Sequence, residues 1–345
     1  MRDLGSCTHN FGVLLSYQGN LREAKKQLDE ALRIQRELHY QLGIASDLDD
    51  IGNVLESLGD LAGAERDKEE ALQIFRNLNN GFGESTTLLN LGEVLLAGGR
   101  LSPAKEKFEQ AMAVAQKIGE KRNIGYCLKG LAAIAMAQDH LPEARSKAEK
   151  SLALRSEMKD EAAAAASNEQ LAEIALEQGK ASEAESFART ACQVFVSQKA
   201  LADGGQSCAV LARVLVVQGK VDEAHSTAAR AVSLSQESGD VMARFDATLA
   251  MAAVHVQKGE FEQAAKILQT MRRESASLGF LGFELKTRLR LGELELQSGK
   301  RSAGSASLQQ LQRDAANSGF LLISRKAGAD LNALSLKIKD PLPSR

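Results

Sequence analysis

The sequence predicts an all-α fold, an α-α superhelix of about eight helix-turn-helix repeats followed by a C-terminal capping helix. Three observations support this prediction: a repeat at a fixed offset of 40 residues, glycine at the expected turns, and apolar residues at helical spacing. Internal repeats are considered first because a missed repeat misassigns the whole fold. One solenoid is predicted over residues 1–337, with a short tail over 338–345.

The repeat is defined by two slots that hold small residues. In the first slot, an apolar residue precedes glycine or alanine at Phe11-Gly12, Ile51-Gly52, Leu91-Gly92, Leu131-Ala132, Leu171-Ala172, Leu211-Ala212, Met251-Ala252 and Leu291-Gly292. The second slot comes twelve residues later, at Ala24, Ala64, Ala104, Ala144, Ala184, Ala224, Ala264 and Gly304. Small residues at both slots allow the two helices of a repeat to pack closely, and a bulky substitution should destabilise the fold by about 1–3 kcal/mol.

Turn residues mark the ends of both helices in each repeat. The first helix ends at a glycine in seven copies, Gly19, Gly59, Gly99, Gly179, Gly219, Gly259 and Gly299, and at Asp139 in the fourth copy. The second helix ends at another residue that tolerates positive φ in Asn79, Gly119, Gly239, Gly279 and Gly319. Pro103 and Pro142 fall in the first turn of second helices, where the missing N–H is harmless.

Residues 88–115, LLNLGEVLLAGGRLSPAKEKFEQAMAVA, contain the residues of a known repeat family: L-G, a turn glycine and small residues at set spacing. This pattern resembles the tetratricopeptide repeat (TPR) and covers nearly the whole chain. It is similar in particular to the long-period variety of bacterial signalling proteins, often C-terminal to a kinase, cyclase or transcriptional-regulator domain. The family's proline after the second helix is absent from every copy, which predicts longer second helices.

The two ends of the array differ from its middle. The eighth copy is degenerate, and Leu331 and Leu334 fall where a ninth first helix would place its apolar face, so the last segment should cap the stack. At the other end, Leu4, Phe11 and Leu15 would have no preceding helix to cover them. We therefore expect either a longer natural protein or self-association through this open N-terminal end.

Composition and charge exclude several classes of function. The formal net charge is -2, from 43 basic and 45 acidic residues, so no overall field favours nucleic acid or anionic lipid as a partner. No apolar run is long enough for a membrane span and the first residues show no signal-peptide pattern, so a cytoplasmic location is predicted. No cofactor is expected.

Cysteines and histidines give no sign of catalysis or metal binding. The cysteines, Cys7, Cys127, Cys192 and Cys208, form no Cys-x-x-Cys pair, and we predict reduced core thiols. The five histidines are scattered over different slots, with no Ser-His-Asp or Cys-His order. A helical phosphatase or hydrolase would need converging carboxylates, whereas the acidic residues are expected to be spread along the array. The chain is therefore predicted not to be an enzyme.

The resemblance to TPR proteins implies that the first helices line a concave, ligand-binding face. The residues carried over to this groove as candidate peptide-binding residues are Asn53, Asn90, Asp49, Asp50, Glu93, Lys129, Glu169, Glu173 and Arg213. The family's two-carboxylate clamp is not reproduced, because its lysine-type slots hold His9 and Gln206 and its arginine slot holds Gly130. An acidic C-terminal peptide is therefore not the expected ligand.

Two features point to a basic, extended ligand instead. Asparagine is a poor helix former that gains nothing from exposure in mid-helix, so Asn53 and Asn90 favour ligand contact. The acidic residues of the first five repeats add negative potential, although ordinary solvated helix surface explains them equally well. Two functions stay open: a scaffold that holds a peptide or protein segment, and a ligand-sensing regulatory segment of a larger bacterial kinase, cyclase or transcriptional regulator.

Overall fold

The computed structural model describes residues 2–339, which form 17 helices and no strand. The helices are α1 Arg2–Tyr17, α2 Leu21–Glu37, α3 Gln41–Leu58, α4 Leu61–Asn77, α5 Gly81–Ala97, α6 Leu101–Ile118, α7 Lys121–Ala137, α8 Leu141–Glu157, α9 Glu161–Glu177, α10 Ala181–Ser197, α11 Leu201–Val217, α12 Val221–Ser238, α13 Val241–Gln257, α14 Phe261–Ser277, α15 Leu281–Gln297, α16 Arg301–Asn317 and α17 Leu321–Lys339. Eight helical hairpins and a capping helix confirm the predicted solenoid. None of these helices is long and apolar enough to cross a membrane.

The turns recur at the predicted positions, and positive φ also occurs at three turns that the sequence did not indicate. Every predicted turn glycine adopts positive φ, as does Asp139 at 63°. At the end of the second helix, His39, Lys159 and Lys199 also adopt positive φ, although lysine is not a typical residue for that conformation. The backbone geometry of the repeat therefore persists where the favoured residue has been lost.

The two slots hold glycine or alanine because the two helices of each hairpin pack closely there. A Cβ on Gly92 would lie 2.7 Å from the Phe108 ring, and a Cβ on Gly12 would lie 3.2 Å from the carbonyl oxygen of Ala24. The residue sixteen positions after the slot helps to explain the choice between glycine and alanine. Glycine copies face the large residues Leu28, Lys68, Phe108 and Leu308. Alanine copies have Ala148, Ala188 and Ala228 at that position, with Leu268 as the exception.

A single methyl group in this slot should therefore be costly. We expect Gly92→Ala to lower the free energy of unfolding by about 1–3 kcal/mol, because Phe108 must move out of a packed core. Gly98→Ala is the matched control, since its Cβ would meet nothing closer than 3.5 Å. Urea unfolding of both variants measures the difference. Equal stability of the two variants would contradict the packing explanation.

The array winds round until its early repeats contact its late ones. A Cβ on Gly19 would lie 2.7 Å from the carbonyl oxygen of Glu237, and one on Gly59 would lie 3.1 Å from the Leu278 side chain. One hydrophobic core also joins Leu88, on α5, to Leu285 on α15. The predicted concave groove therefore lies between early and late repeats of the array, and it is called the channel below.

The capping helix α17 closes this winding at the C-terminal end. Leu331 packs against the core, as predicted, and Leu334 is half-buried. The Arg325 guanidinium pairs with Asp139 at 2.6 Å, so α17 also contacts the fourth repeat. The predicted domain boundary at 337 falls inside α17, and the rest of the predicted tail, residues 340–345 with both of its prolines, lies outside the described residues.

The N-terminal helix leaves an apolar stripe uncovered. Phe11 and Leu14 are 49% and 51% exposed, and Leu4 and Cys7 lie on the same stripe. The prediction that Leu15 is uncovered is wrong, because this side chain turns inward and is only 8% exposed.

The predicted state of the cysteines is wrong at three of four positions. Cys192 on α10 and Cys208 on α11 form a disulfide with a Cα–Cα distance of 4.9 Å. Sequence spacing did not suggest this pair because the two residues meet only through the packing of consecutive helices. Cys7 is exposed rather than in the core. Cys127 is buried as predicted, and burial raises the pKa of its thiol to about 12.

Candidate ligand-binding channel

The first helix of each repeat supplies the wall of the channel. The predicted residues are distributed over five of these helices: Asp49, Asp50 and Asn53 on α3, Asn90 and Glu93 on α5, Lys129 on α7, Glu169 and Glu173 on α9, and Arg213 on α11. All nine lie on odd-numbered helices, as the carry-over from the TPR family requires. Their side chains differ in what they already contact.

The two asparagines hold neighbouring carboxylates in place. Asn90 donates its amide N–H to Asp49 Oδ2 at 2.8 Å, and Asn53 donates to Asp50 Oδ1 at 3.3 Å. Asn53 Oδ1 also accepts a hydrogen bond from Lys68 Nζ, a fully buried ammonium group on α4. The asparagines thus orient two acidic residues of repeat 2, and Asn53 remains exposed.

Farther along the channel, positive groups partly balance the acidic ones. Glu173 Oε1 accepts a hydrogen bond from Arg213 Nη2 at 2.6 Å, and Glu177 pairs with Lys326 of α17 at 2.8 Å. These four residues and Lys286 line a cavity of ≈ 70 Å³. Burial disfavours the charge of Glu173, but the Arg213 guanidinium outweighs it and holds the pKa of this carboxyl below its usual value.

Several channel carboxylates have no such partner. Glu56, Glu93, Glu169 and Asp246 accept no hydrogen bond from any residue that the structure describes. Burial raises the pKa of Glu56 and of Glu169 to about 8. It raises the pKa of Asp246 to about 6. Lys129 favours the charge of Glu169, and Lys286 and Arg213 favour that of Asp246, but burial outweighs these cations in both cases.

These carboxylates are spread over four helices, but some of them also approach acidic residues of distant repeats, which the repeat pattern does not predict. The winding of the solenoid brings Asp246, on α13, near Glu173 of α9 and Lys286 of α15. The sequence could have placed Asp246 and Lys286 in the channel, because both lie at the repeat position that Gln206 occupies. Glu56 and Lys68 carry no comparable signal. Among the described residues, no group of histidine, cysteine and acidic side chains is arranged to hold a metal ion.

The family follows from a match over most of the chain. The model of the MalT-like TPR region matches residues 16–322. The chain belongs to this family. A search of curated protein sequences finds no match.

Solved structures share the fold at low sequence identity. A Rap protein complexed with Competence and Sporulation Factor superposes with a TM-score of 0.67 at 14% identity, over 92% of this chain and 100% of that one. The Rap conjugation gene regulator of plasmid pLS20, in complex with the Phr* peptide, gives 0.65 at 14% identity over 99% of both chains. A STAND protein with a tetratricopeptide repeat sensor from Pyrococcus horikoshii gives 0.52 at 13% identity, over 91% of this chain and 47% of that one. These likenesses establish the TPR-like fold of the MalT-like chain and nothing finer.

Proposed function

We propose that this MalT-like TPR region is a scaffold that binds an extended peptide or protein segment with basic side chains inside its channel. The observation that supports this most is the set of buried and half-buried channel carboxylates that accept no hydrogen bond, Glu56, Glu93, Glu169 and Asp246. A cationic ligand would compensate their charge. The two Rap structures hold the Competence and Sporulation Factor and the Phr* peptide, and the second of these supports a peptide as the occupant here.

The predicted groove residues take separate roles in this proposal. Asp49 and Asp50, held by Asn90 and Asn53, receive basic side chains near the start of the array. Glu169 and the Glu173–Arg213 pair act farther along, where Lys129 excludes a second cation. Charges of this kind mainly set the association rate and its salt dependence, while desolvated hydrogen bonds set the dissociation rate.

The alternative is a ligand-sensing segment of a larger bacterial kinase, cyclase or transcriptional regulator. It is favoured by the STAND protein, whose TPR portion is described as a sensor. In both proposals any catalytic activity belongs to another domain or protein, because TPR-like folds are generally non-catalytic scaffolds. They share the channel as the binding site and differ only in what the bound state controls.

A peptide array tests the proposal. The isolated chain should retain peptides rich in arginine or lysine and release them as salt rises, since rim charges are screened within about 10 Å at 0.1 M salt. Matched peptides with glutamate at the same positions should not bind. Preferential capture of the acidic set would overturn the proposal.

We also propose that two copies associate through the α1 stripe formed by Leu4, Cys7, Phe11 and Leu14. In later repeats the slot of Leu14 holds Val54 and Val94, both nearly fully buried against a preceding helix. Exposed apolar surface of this kind favours association with an equivalent surface.

We expect a dimer by light scattering and a monomer after Phe11→Glu with Leu14→Glu. Phe82→Glu, at another exposed aromatic residue, is the control. A parent chain that is monomeric at high concentration would contradict this.

A further inference from the structure

Three carboxyl groups repel one another where an early repeat contacts a late one. Glu56 on α3 lies close enough to Glu93 on α5, and to Asp240 at the start of α13, for each to disfavour its charge. The Glu56 side chain is buried, with only 8% of the residue exposed. Helices α3 and α13 are adjacent only because the array winds back on itself. This cluster is therefore a product of the tertiary structure and not of one repeat.

The groups around Glu56 cannot neutralise it. Asp240 already accepts a hydrogen bond from the backbone N–H of Ala243 at 2.8 Å and a further one from Ser57. Lys68 on α4 favours the charge of Glu56, but its ammonium donates to Asn53 and to the carbonyl oxygen of Asp49.

Glu56 itself has no hydrogen-bond partner anywhere in residues 2–339. The charged groups that face it are thus three carboxylates, those of Asp49, Glu93 and Asp240, and one ammonium group that is already engaged. A buried carboxyl group without a partner either stays protonated or takes a cation.

We propose that Glu56, flanked by Glu93 and Asp240, forms a subsite for the guanidinium group of an arginine side chain of the channel ligand. This inference rests on the proposed function and names one anchoring point within it. A guanidinium suits the subsite because it is planar, weakly hydrated and able to donate to two carboxylates at once. A metal ion is not the expected occupant, because among the described residues these acidic groups are not arranged as metal ligands.

The state of Glu56 makes the subsite sensitive to pH. Burial and the neighbouring carboxyl groups raise the pKa of Glu56 to about 8, so the empty subsite holds a proton at neutral pH. A guanidinium binds the ionised form, and the proton is then released to the solvent. Affinity should therefore rise as pH increases towards 8, by up to about tenfold per pH unit.

Calorimetric titration of the full chain with a hexa-arginine peptide tests the subsite. Hexa-citrulline, which has the same shape without the charge, and hexa-lysine serve as comparison peptides. Runs at pH 7 in two buffers of different ionisation enthalpy count the protons released. We expect hexa-arginine to bind at least about tenfold more tightly than either comparison peptide, and to release up to one proton from Glu56 besides any proton released from Glu169.

Glu56→Gln should weaken hexa-arginine binding about tenfold or more and lower the count of released protons by up to one, since the amide keeps the shape of the side chain but not its charge. Glu69→Gln, on the exposed face of α4, should change neither quantity. Unchanged affinity and proton count in Glu56→Gln, with binding to the parent intact, would overturn the subsite alone. Equal binding of hexa-lysine would overturn the guanidinium assignment. Absence of binding by every basic peptide to the parent would refute the proposed function itself.

Discussion

Replacing Asn53 and Asn90 together by alanine is expected to weaken binding of a basic segment by about 1–3 kcal/mol. The two amides hold the carboxylates of Asp50 and Asp49 at 3.3 and 2.8 Å. Asn53 also accepts from Lys68, whose buried ammonium would lose a partner. The freed ammonium would then compete with the ligand for the same carboxylates. Titration of the best array peptide against the parent and the double variant measures the loss.

The matched control for this pair is Asn77→Ala, an exposed asparagine on the outer helix α4. It should bind the peptide as tightly as the parent. If the double variant also binds as tightly as the parent, the asparagines do not contribute to the site. Circular dichroism should show unchanged helix content, since alanine favours helix more than asparagine does.

Replacing Glu56 by glutamine is expected to stabilise the chain at pH 8, on the order of 2–4 kcal/mol. Burial, with the carboxylates of Glu93 and Asp240, raises the pKa of Glu56 from 4.5 to about 8. The native state therefore holds more protons than the unfolded state between these two pH values, and the stability of the parent falls as pH rises through that window. Below about pH 4.5 the group is protonated in both states and the penalty is absent.

Urea unfolding of parent and variant at pH 5, 6, 7 and 8 measures this effect. The difference in free energy of unfolding should grow with pH, by at most about 1.4 kcal/mol per unit. Glu69→Gln should leave the pH dependence of the parent unchanged. A difference that is constant from pH 5 to pH 8 would show that Glu56 does not carry an elevated pKa.

The fold could be predicted from the sequence because each repeat is a local unit. Helix ends, turn residues such as Asp139 and the small slots are all fixed by residues within 40 positions, so comparing the chain with itself is enough. The same logic places all nine predicted site residues on odd-numbered helices. For α1 it predicts that Leu4 and Phe11 are exposed, but it does not single out Leu14 and it predicts Cys7 to lie in the core.

The rest depends on contacts that the repeat does not encode. The winding angle accumulates over several repeats, and the contact of Gly19 with Glu237 reflects that sum rather than any one motif. The convergence of Glu56 with Asp240 follows from it. The buried Lys68 was not predicted for a simpler reason. A lysine on a second helix is expected to be exposed to solvent, and only the structure shows its hydrogen bond to Asn53.

Carboxyl-group footprinting tests the central claim, that a basic segment occupies the channel, most directly. The chain is treated with a carbodiimide and an amine, with and without the best array peptide, and labelling is read by mass spectrometry at each acidic residue. Bound peptide should protect Glu93 and Glu169 in the channel and leave Glu69 and Glu109 on exposed helix faces unchanged. Protection confined to exposed faces, or none at saturating peptide, would contradict binding in the channel.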